Sequence, residues 1–372
     1  MLLMLLVCSL LLVFSLAYAL FYFYFRFNGK KPWNLRIENG FQPSVSIMVP
    51  THNEEGNIER KLANLQTVNY PKDKMEVIIV DDASEDKTLL KVDEVISRGL
   101  EFKTKVVRQK SRGGKAVALN TALDVVSSSI VIVTDADTLW PSNILEKALP
   151  FLADPTVGAV TGRGINEQTS ESWVTKAEDN YLELTSSIRL GESKVHSTLR
   201  FEGGFCAYKR DAFDKFDCES GSDDSGTALK VIQHNLRTIL VPDAVFYTSF
   251  PTSLSGKLKV KVRRANQLIS LWIKCLKFML ERKLVLPKRI VMPEVFMFII
   301  NPFVFAALAV ASVGYVFLFP LSILSLFLLA CILGLLIFAR NLFLEFVVDN
   351  LLLVYASVSY LFGRRYVAWK RA

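Results

Sequence analysis

Two stretches of the chain lack charged side chains and are long enough to lie inside a membrane. Residues 2–25 and 295–339 contain no Asp, Glu, Lys or Arg and are mostly apolar. At about 1.5 Å per residue, a helix over the first stretch crosses a hydrocarbon core about 30 Å thick once, and the second stretch is long enough to cross it twice. The pattern therefore predicts one early span and a late pair that turns near Phe319 and Pro320.

The basic residues beside the first stretch predict how the chain is oriented. Arg26, Lys30 and Lys31 follow the apolar run, whereas a cleaved signal peptide carries its positive charge before the run. We therefore expect an uncleaved transmembrane helix over residues 1–27 and a juxtamembrane linker over 28–43. The positive-inside bias then predicts a multi-pass protein of the plasma membrane with a cytoplasmic body.

We assign the late membrane region to residues 291–363. The sequence does not decide whether the last segment of this region crosses the bilayer. The apolar stretch 346–363 contains Asp349, and a basic tail follows over residues 364–372. If this stretch crosses the bilayer, the tail lies outside, against the positive-inside bias. The alternative is that the stretch lies along the membrane interface.

Short apolar runs alternate with helix-like stretches between the membrane segments. Strand character occurs at residues 45–49, 76–80, 105–107 and 130–134, and helix-like stretches occur at 55–65, 88–96 and 115–125. Strand and helix alternating at about 25 to 30 residues per unit are typical of a doubly wound, mostly parallel sheet. We therefore predict an α/β domain over residues 44–250, with ligands at the carboxyl ends of its strands.

Composition and missing motifs exclude several classes of protein. The 372-residue chain is 51% hydrophobic with a net charge of +8, which fits a body held against an anionic membrane face better than a nucleic-acid-binding protein. No GxGxxG follows the first strand and no P-loop motif occurs, which argues against a dinucleotide-binding oxidoreductase and a P-loop NTPase. Three histidines and five widely spaced cysteines give no zinc-site pattern.

Carboxylates follow two of the predicted strands. Asp135 and Asp137 come directly after the apolar run 130–133, and Asp82 closes the run 76–80. Two carboxylates one residue apart are suited to share a hard divalent cation, which would neutralise a diphosphate leaving group. Lys115 is placed to bring a positive charge against phosphate. The alternatives are a helix N-cap in the loop after Asp82 and a solvated lysine at a helix start.

Four motifs in register give the chain a resemblance to a known family. They are VSIMVPTHN followed by Glu54 and Glu55, then VIIVDDASEDKT, GGKAVALN and VIVTDADT. In order and spacing these segments resemble an inverting family 2 glycosyltransferase over roughly residues 44–250. The resemblance implies a GT-A fold, which is an α/β domain that binds nucleotide sugars.

The resemblance also implies which residues bind the donor. Thr51, Asn53 and Glu55 would line the nucleotide site, with Glu55 nearest the ribose or base. Asp82 matches the carboxylate that accepts from the uracil N3–H, and Lys115 matches the lysine on the phosphate side. The implied donor is a UDP-sugar such as UDP-GlcNAc or UDP-glucose.

The same resemblance assigns the chemistry of transfer. Asp135 and Asp137 match the metal-binding DxD motif, which implies Mg²⁺ or Mn²⁺ as the cofactor. Asp224 matches the general base, in a triplet where Ser222 and Asp223 replace the usual Thr and Glu. This departure makes the motif less specific.

An acceptor pocket is implied by the segment FEGGF, residues 201–205. Gly203, Gly204 and Phe205, together with Asp223, are the residues we assign to it. An aromatic ring in this segment is suited to stack on a sugar, and packing of Phe201 and Phe205 in the core is the equal alternative.

A basic amphipathic helix is predicted within residues 251–290, just before the late spans. Apolar residues recur there at spacings of four and three, with lysine and arginine around them, which suits the bilayer interface. The alternative is an ordinary surface helix that packs on the body. Membrane-bound processive relatives carry QxxRW in this region. Arg264 matches the arginine of that motif and would approach the diphosphate, but Lys261 replaces the glutamine and Ala265 the tryptophan.

These observations favour a membrane glycosyltransferase that inverts the anomeric configuration. The leading hypothesis is a polysaccharide synthase, resembling hyaluronan, chitin or poly-N-acetylglucosamine synthases. The altered QxxRW and the small number of spans favour the alternative, which is transfer of one sugar to a polyprenyl phosphate or a glycolipid. A membrane scaffold with a retired transferase domain is a third, non-catalytic hypothesis.

Overall fold

A seven-stranded sheet forms the centre of the water-soluble body. The computed structural model describes residues 1–167, 173–219, 221–249 and 254–363. Within them the strand order is β3-β2-β1-β4-β6-β5-β7. The strands are β1 Val45–Thr51, β2 Met75–Asp81, β3 Lys103–Arg108, β4 Ile130–Val133, β5 Val157–Asn166, β6 Cys206–Lys209 and β7 Arg237–Thr248.

Helices cover both faces of this sheet and continue into the apolar part of the chain. Those of the body are α2 Ile58–Gln66, α3 Thr88–Ser97, α4 Lys115–Leu123, α5 Ile144–Ala148, α6 Trp173–Val195, α7 Asp223–Gln233 and α8 Leu254–Leu280. The apolar parts contain α1 Leu2–Gly29, α9 Lys288–Val295, α10 Asn301–Leu318, α11 Ile323–Phe338 and α12 Arg340–Leu361. A π-helical turn, Phe296–Ile300, joins α9 to α10.

The mostly parallel α/β architecture predicted from the sequence is confirmed. β6 runs antiparallel to β4 and β5, and the other pairs are parallel. β1 packs Ile47 and Val49 into one core cluster and Met48 into the other. A strand with both faces covered is apolar along its whole length, and for that reason β1, β2 and β4 are recognisable as continuous hydrophobic runs.

Three described helical stretches are long and apolar enough to cross a membrane: Leu2–Gly29, Lys288–Leu318 and Arg340–Leu361. α11 is a shorter apolar helix. Val7 of α1 packs with Leu308 and Tyr315 of α10 and Leu328 of α11 in one buried cluster. The turn between α10 and α11 falls where the sequence predicted it.

α8 packs on the body, which is the alternative to a helix at the bilayer interface. On one side Trp272 is buried in the core of the body. On the other side, Lys257 pairs with Glu345 of α12 at 2.9 Å, and Lys261 pairs with Asp349 at 2.5 Å. Two lysines of the predicted basic face therefore neutralise the two acidic residues that interrupt the last apolar stretch, because paired charges cost less in a dry environment than isolated ones.

α12 runs alongside α8, and its later turns lie close to the body. Ala356 packs with Ala265 and Ile269 of α8, while Trp272, one turn further along α8, lies in the core of the body. The end of α12 is therefore held on the side of the body. This path favours the interface alternative for the last apolar stretch. The basic tail 364–372 lies outside the described residues.

We predict that the C-terminus lies on the same side of the membrane as the body. An epitope tag fused after Ala372 and a tag inserted in the body should both resist protease added to intact cells and be cut after permeabilisation. A tag before Met1 is the matched control and should be cut in intact cells, because α1 separates it from the body. Cleavage of the C-terminal tag in intact cells would show that α12 crosses the bilayer.

Candidate active site

Hydrogen bonds connect the loop after β1 to the loop after β2. They are made by residues that the sequence predicted to bind the nucleotide. The N–H of Asn53 donates to the Ser84 hydroxyl at 3.0 Å, and Asn53 Oδ1 accepts from the N–H of Glu85 at 2.9 Å. Glu55 Oε2 accepts from the N–H of Lys87 at 3.0 Å. Thr51 is buried at the end of β1. These contacts form one polar rim at the carboxyl ends of the strands.

Asp82 holds the turn that precedes Lys115. Its Oδ1 accepts from the N–H of Gly113 at 2.7 Å, and its Oδ2 accepts from the N–H of Gly114 at 2.8 Å. Asp82 is 5% exposed. α4 begins at Lys115, the residue that follows Gly114. The structure therefore links the end of β2 directly to the start of α4.

Lys115 brings the predicted carboxylates together. Its Nζ lies 2.9 Å from Asp135 Oδ1, 3.2 Å from Asp223 Oδ2 and 3.4 Å from Asp224 Oδ2. Burial lowers the pKa of Lys115, but the three carboxylates outweigh burial and hold the pKa well above its ordinary value. Asp135 and Asp224, separated by 89 positions in the sequence, thus face one ammonium group.

Gly203, assigned to the acceptor pocket, lies against this pair. Its carbonyl accepts from the N–H of Asp135 at 2.9 Å. A Cβ at this position would come within 2.4 Å of Asp135 Oδ2 and 2.8 Å of Lys115 Nζ. A larger residue at this position would therefore have to displace the ends of these two charged side chains.

Asp137 lies near other carboxylates. Whether this loop can hold a cation depends on this concentration of negative charge. Burial raises its pKa to about 6, and the charges of Asp135 and Glu54 add to the shift. Among the described residues, no three His, Cys, Asp or Glu side chains lie close enough to hold an ion alone. Two carboxylates with phosphate oxygens and water suffice for Mg²⁺ or Mn²⁺, so the donor set fits an ion shared with a diphosphate.

Asp224 occupies the first turn of α7, where helix amide groups stabilise negative charge. Burial raises the pKa of Asp224 well above its ordinary value, and Asp223 raises it further, while Lys115 opposes the shift. A carboxylate with a raised pKa is a stronger base than an ordinary one. The geometry therefore suits Asp224 to accept a proton in the crevice it shares with Asp135.

The aromatic side of the predicted acceptor pocket is corrected. Phe205 is fully buried and packs edge-on against Trp140, with 5.2 Å between ring centroids. Phe201 is also buried in the core. Gly204 fits tightly against the ring of Phe246. None of these rings is available to stack on a sugar, because the strand that follows them turns them into the sheet core.

Arg263, next to the predicted Arg264, lies within electrostatic reach of the carboxylates. Burial and the neighbouring Arg264 lower the pKa of Arg263, while Asp135 and Asp223 act to raise it. Arg263 is half-buried and Arg264 is exposed. A single position turns a helical side chain by about 100°, so Arg263 is a further candidate that the QxxRW frame did not assign.

Lys61 is a second residue that motif matching missed. It is fully buried, and its Nζ donates to Thr134 Oγ1 at 2.6 Å and to the carbonyl of Thr138 at 2.9 Å. Burial lowers the pKa of Lys61 to about 7, against the charges of Asp135 and Asp137. Its signal in the sequence is a lysine on the apolar face of α2, between Ile58 and Leu65.

Comparisons with known proteins identify the fold and the family of this body. A family model for glycosyl transferase family 2 matches residues 46–217. The mannosyltransferase PcManGT from Pyrobaculum calidifontis, solved in complex with GDP-Man and Mn²⁺, superposes with a TM-score of 0.83 at 31% identity, over 98% of this chain and 100% of that one. The body therefore has the GT-A fold of nucleotide-sugar-dependent transferases.

Two curated relatives cover the same region. The β-monoglucosyldiacylglycerol synthase of Synechocystis sp. is 31% identical over 57% of this chain and 45% of its own length. The poly-β-1,6-N-acetyl-D-glucosamine synthase of Staphylococcus aureus is 26% identical over 66% and 60%. The chain thus spans about half the length of the curated relatives it matches. It belongs to glycosyltransferase family 2, whose members use nucleotide-sugar donors.

We predict that Asp137→Asn stabilises the metal-free protein. The pKa of Asp137 in the folded chain, about 6 against an ordinary 3.8, means that its ionised form destabilises the fold above pH 6, by about 1–2 kcal/mol after solvent screening. Thermal unfolding in detergent with EDTA should show the variant a few degrees more stable at pH 7.5. The difference should shrink as the pH falls below 6 and vanish only well below pH 3.8, where Asp137 is protonated in both the folded and the unfolded chain. A variant less stable than the wild type across this range would contradict the prediction.

Proposed function

We propose that this protein transfers a single hexose from a nucleoside diphosphate sugar to a lipid acceptor at the membrane surface, with inversion. The observation that carries the proposal is the convergence of Asp135, Asp223 and Asp224 on Lys115 at the carboxyl ends of the strands. A positive group beside a base and a DxD loop is what displacement of a diphosphate requires.

Asp224 acts as the general base in this proposal. It takes the proton of the acceptor hydroxyl while the acceptor oxygen bonds to the anomeric carbon. The bond from that carbon to the diphosphate oxygen breaks in the same displacement, so the nucleoside diphosphate leaves from the opposite face and the configuration inverts. Desolvation keeps the carboxylate of Asp224 basic enough for this role.

Asp135 and Asp137 hold a divalent cation in this proposal, and Lys115 and Arg263 face the diphosphate. The cation supplies Lewis-acid stabilisation of the charge on the leaving group. Lys115 holds Asp135 in place at 2.9 Å. Arg263 adds a planar donor group that matches phosphate oxygens in pairs. The complex of PcManGT with GDP-Man and Mn²⁺ supports this assignment.

A lipid acceptor is favoured by the position of α8. This helix brings Arg263 to the carboxylate cluster on one side and packs Ala265 and Ile269 against apolar α12 on the other. The crevice is therefore one helix away from the apolar part of the chain. α1, α10 and α11 contribute side chains to one buried apolar cluster. An acceptor that arrives from the bilayer would reach the crevice along this apolar part of the chain. The Synechocystis relative, named for a glycolipid product, supports this choice.

Polymer synthesis is the second candidate. The Staphylococcus aureus relative is named as a polysaccharide synthase and matches over 66% of this chain. The altered QxxRW segment distinguishes this chain from the processive pattern. The size of the product separates the two candidates.

We predict one organic-extractable product when the purified protein is reconstituted in vesicles and given labelled UDP-glucose, UDP-GlcNAc or GDP-mannose with Mn²⁺ or Mg²⁺. EDTA should abolish transfer. Asp224→Asn should lower kcat by a factor of about a hundred to ten thousand with donor binding retained, because proton removal is lost. Asp93→Asn, at an exposed position of α3, is the matched control and should leave kcat unchanged.

The outcomes of this assay exclude one another. A ladder or high polymer would replace the lipid-acceptor proposal with the synthase alternative. No transfer from any of the three donors by a folded protein would contradict both. Retention of the anomeric configuration, read by NMR, would exclude direct displacement.

We predict that Arg263→Ala lowers kcat/KM for the donor at least tenfold, while Arg264→Ala changes it less than twofold. The reason is that Asp135 and Asp223 act on the charge of the half-buried Arg263, whereas Arg264 is exposed. Initial rates at varied donor concentration measure both variants. The reverse order of effects would restore the assignment that the QxxRW frame favoured.

A further inference from the structure

The side chain of Lys61 reaches from α2 to both ends of the acidic loop, residues 134–138. Its Nζ donates to the Thr134 hydroxyl at 2.6 Å and to the carbonyl of Thr138 at 2.9 Å, and it lies 3.4 Å from the Thr138 hydroxyl. These contacts use the donors of the ammonium group, which has three hydrogens. Lys61 is fully buried. A fully buried lysine is rare and costs free energy even when it is paired, so packing alone does not account for it.

The two threonines extend these contacts to the backbone of the site. The Thr138 hydroxyl donates to the carbonyl of Asp135 at 2.9 Å. The Thr134 hydroxyl donates to the carbonyl of Gly204 at 2.9 Å. Each hydroxyl thus accepts or approaches the ammonium group on one side and donates to a carbonyl on the other. Lys61 therefore connects both ends of the acidic loop and, through Thr134, the glycine segment beside it.

A second side chain of α2 supports the chain just after the acidic loop. Asn64 Oδ1 accepts from the N–H of Trp140 at 2.8 Å, and Asn64 Nδ2 donates to the carbonyl of Trp140 at 2.9 Å. The Lys61 ammonium also lies 4.8 Å from the centre of the Trp140 ring. Because Lys61 and Asn64 are three positions apart, they lie on one face of α2. This face holds the chain after β4 from residue 134 to residue 140.

We infer that Lys61 is a positioning residue that sets the spacing of Asp135 and Asp137 for the cation, through the loop backbone rather than through its charge. This inference rests on the proposed function, because it assumes that these two carboxylates hold a divalent cation. Within the described part of the chain, Lys61 donates to the threonines and not to the carboxylates. Outer contacts of this kind orient metal ligands, and their loss commonly weakens metal binding about ten- to a hundredfold.

The direction of the effect distinguishes positioning from simple electrostatics. Lys61 lies within electrostatic reach of Asp135 and Asp137. A positive charge at this place repels a divalent cation, so its removal would by itself tighten cation binding. If the hydrogen bonds matter more, their removal frees the acidic loop and weakens binding despite the lost repulsion. The two roles therefore predict opposite changes in the Kd of the cation.

The test measures Mn²⁺ binding to the full-length protein in detergent with saturating UDP or GDP, from the EPR signal of the free ion. Lys61→Met keeps an unbranched side chain of similar length without its donors, and should raise the Kd for Mn²⁺ at least tenfold. Thr134→Val leaves the lysine in place and removes the hydroxyl that links it to Gly204. It should raise the Kd about threefold or more, because the contact of Lys61 with Thr138 remains. This second variant keeps the test valid if Lys61→Met does not fold.

Leu62→Ala is the matched control. Leu62 is buried on the same helix, so the cavity should lower the melting temperature, while the Kd for Mn²⁺ should change less than twofold. A folded Lys61→Met or Thr134→Val protein that binds Mn²⁺ as tightly as the wild type, or more tightly, would overturn the inference. Equal weakening in Leu62→Ala would also overturn it, because loss of stability alone would then explain the effect. A wild-type protein that binds no Mn²⁺ with either nucleotide would contradict the cation site of the proposed function itself.

Discussion

Like charges held in one buried crevice are the constraint on which the rest of the site depends. Asp135, Asp137 and Asp224 repel one another, and two of them have raised pKa values because burial removes the water that would screen them. Lys115 offsets part of this repulsion, with Asp135 at 2.9 Å. In the proposed function, a bound cation would offset the rest of this repulsion.

The surrounding fold is arranged to hold these charges in place. Lys61 lies beneath the acidic loop and bonds to Thr134 and Thr138 on either side of it. Gly203 leaves room for the pair of Asp135 and Lys115. Each of these residues is rigid because it is buried or backbone-bound. Such rigidity provides the preorganisation that electrostatic stabilisation of a transition state requires.

Charged side chains in the apolar part of the chain are also held in place by contacts with their neighbours. Lys257 and Lys261 of α8 pair with Glu345 and Asp349 of α12, so charges that interrupt an apolar helix are neutralised in pairs. The same helix α8 carries Arg263 to the crevice. Catalytic and membrane-associated regions thus share one helix, which couples the position of the site to the position of the bilayer surface.

Periodicity and local motifs determined the sheet, its helices and the acidic strand ends, because those signals lie in neighbouring residues. The loop of Asp135 and Asp137 and the start of α7 at Asp223 follow from such local patterns. Only the tertiary structure decided that Arg263 is less exposed than Arg264, that Phe205 is core, and that Asp82 bonds to the glycine turn. Each of these depends on which way a side chain points after distant segments pack, and a linear motif does not contain that direction.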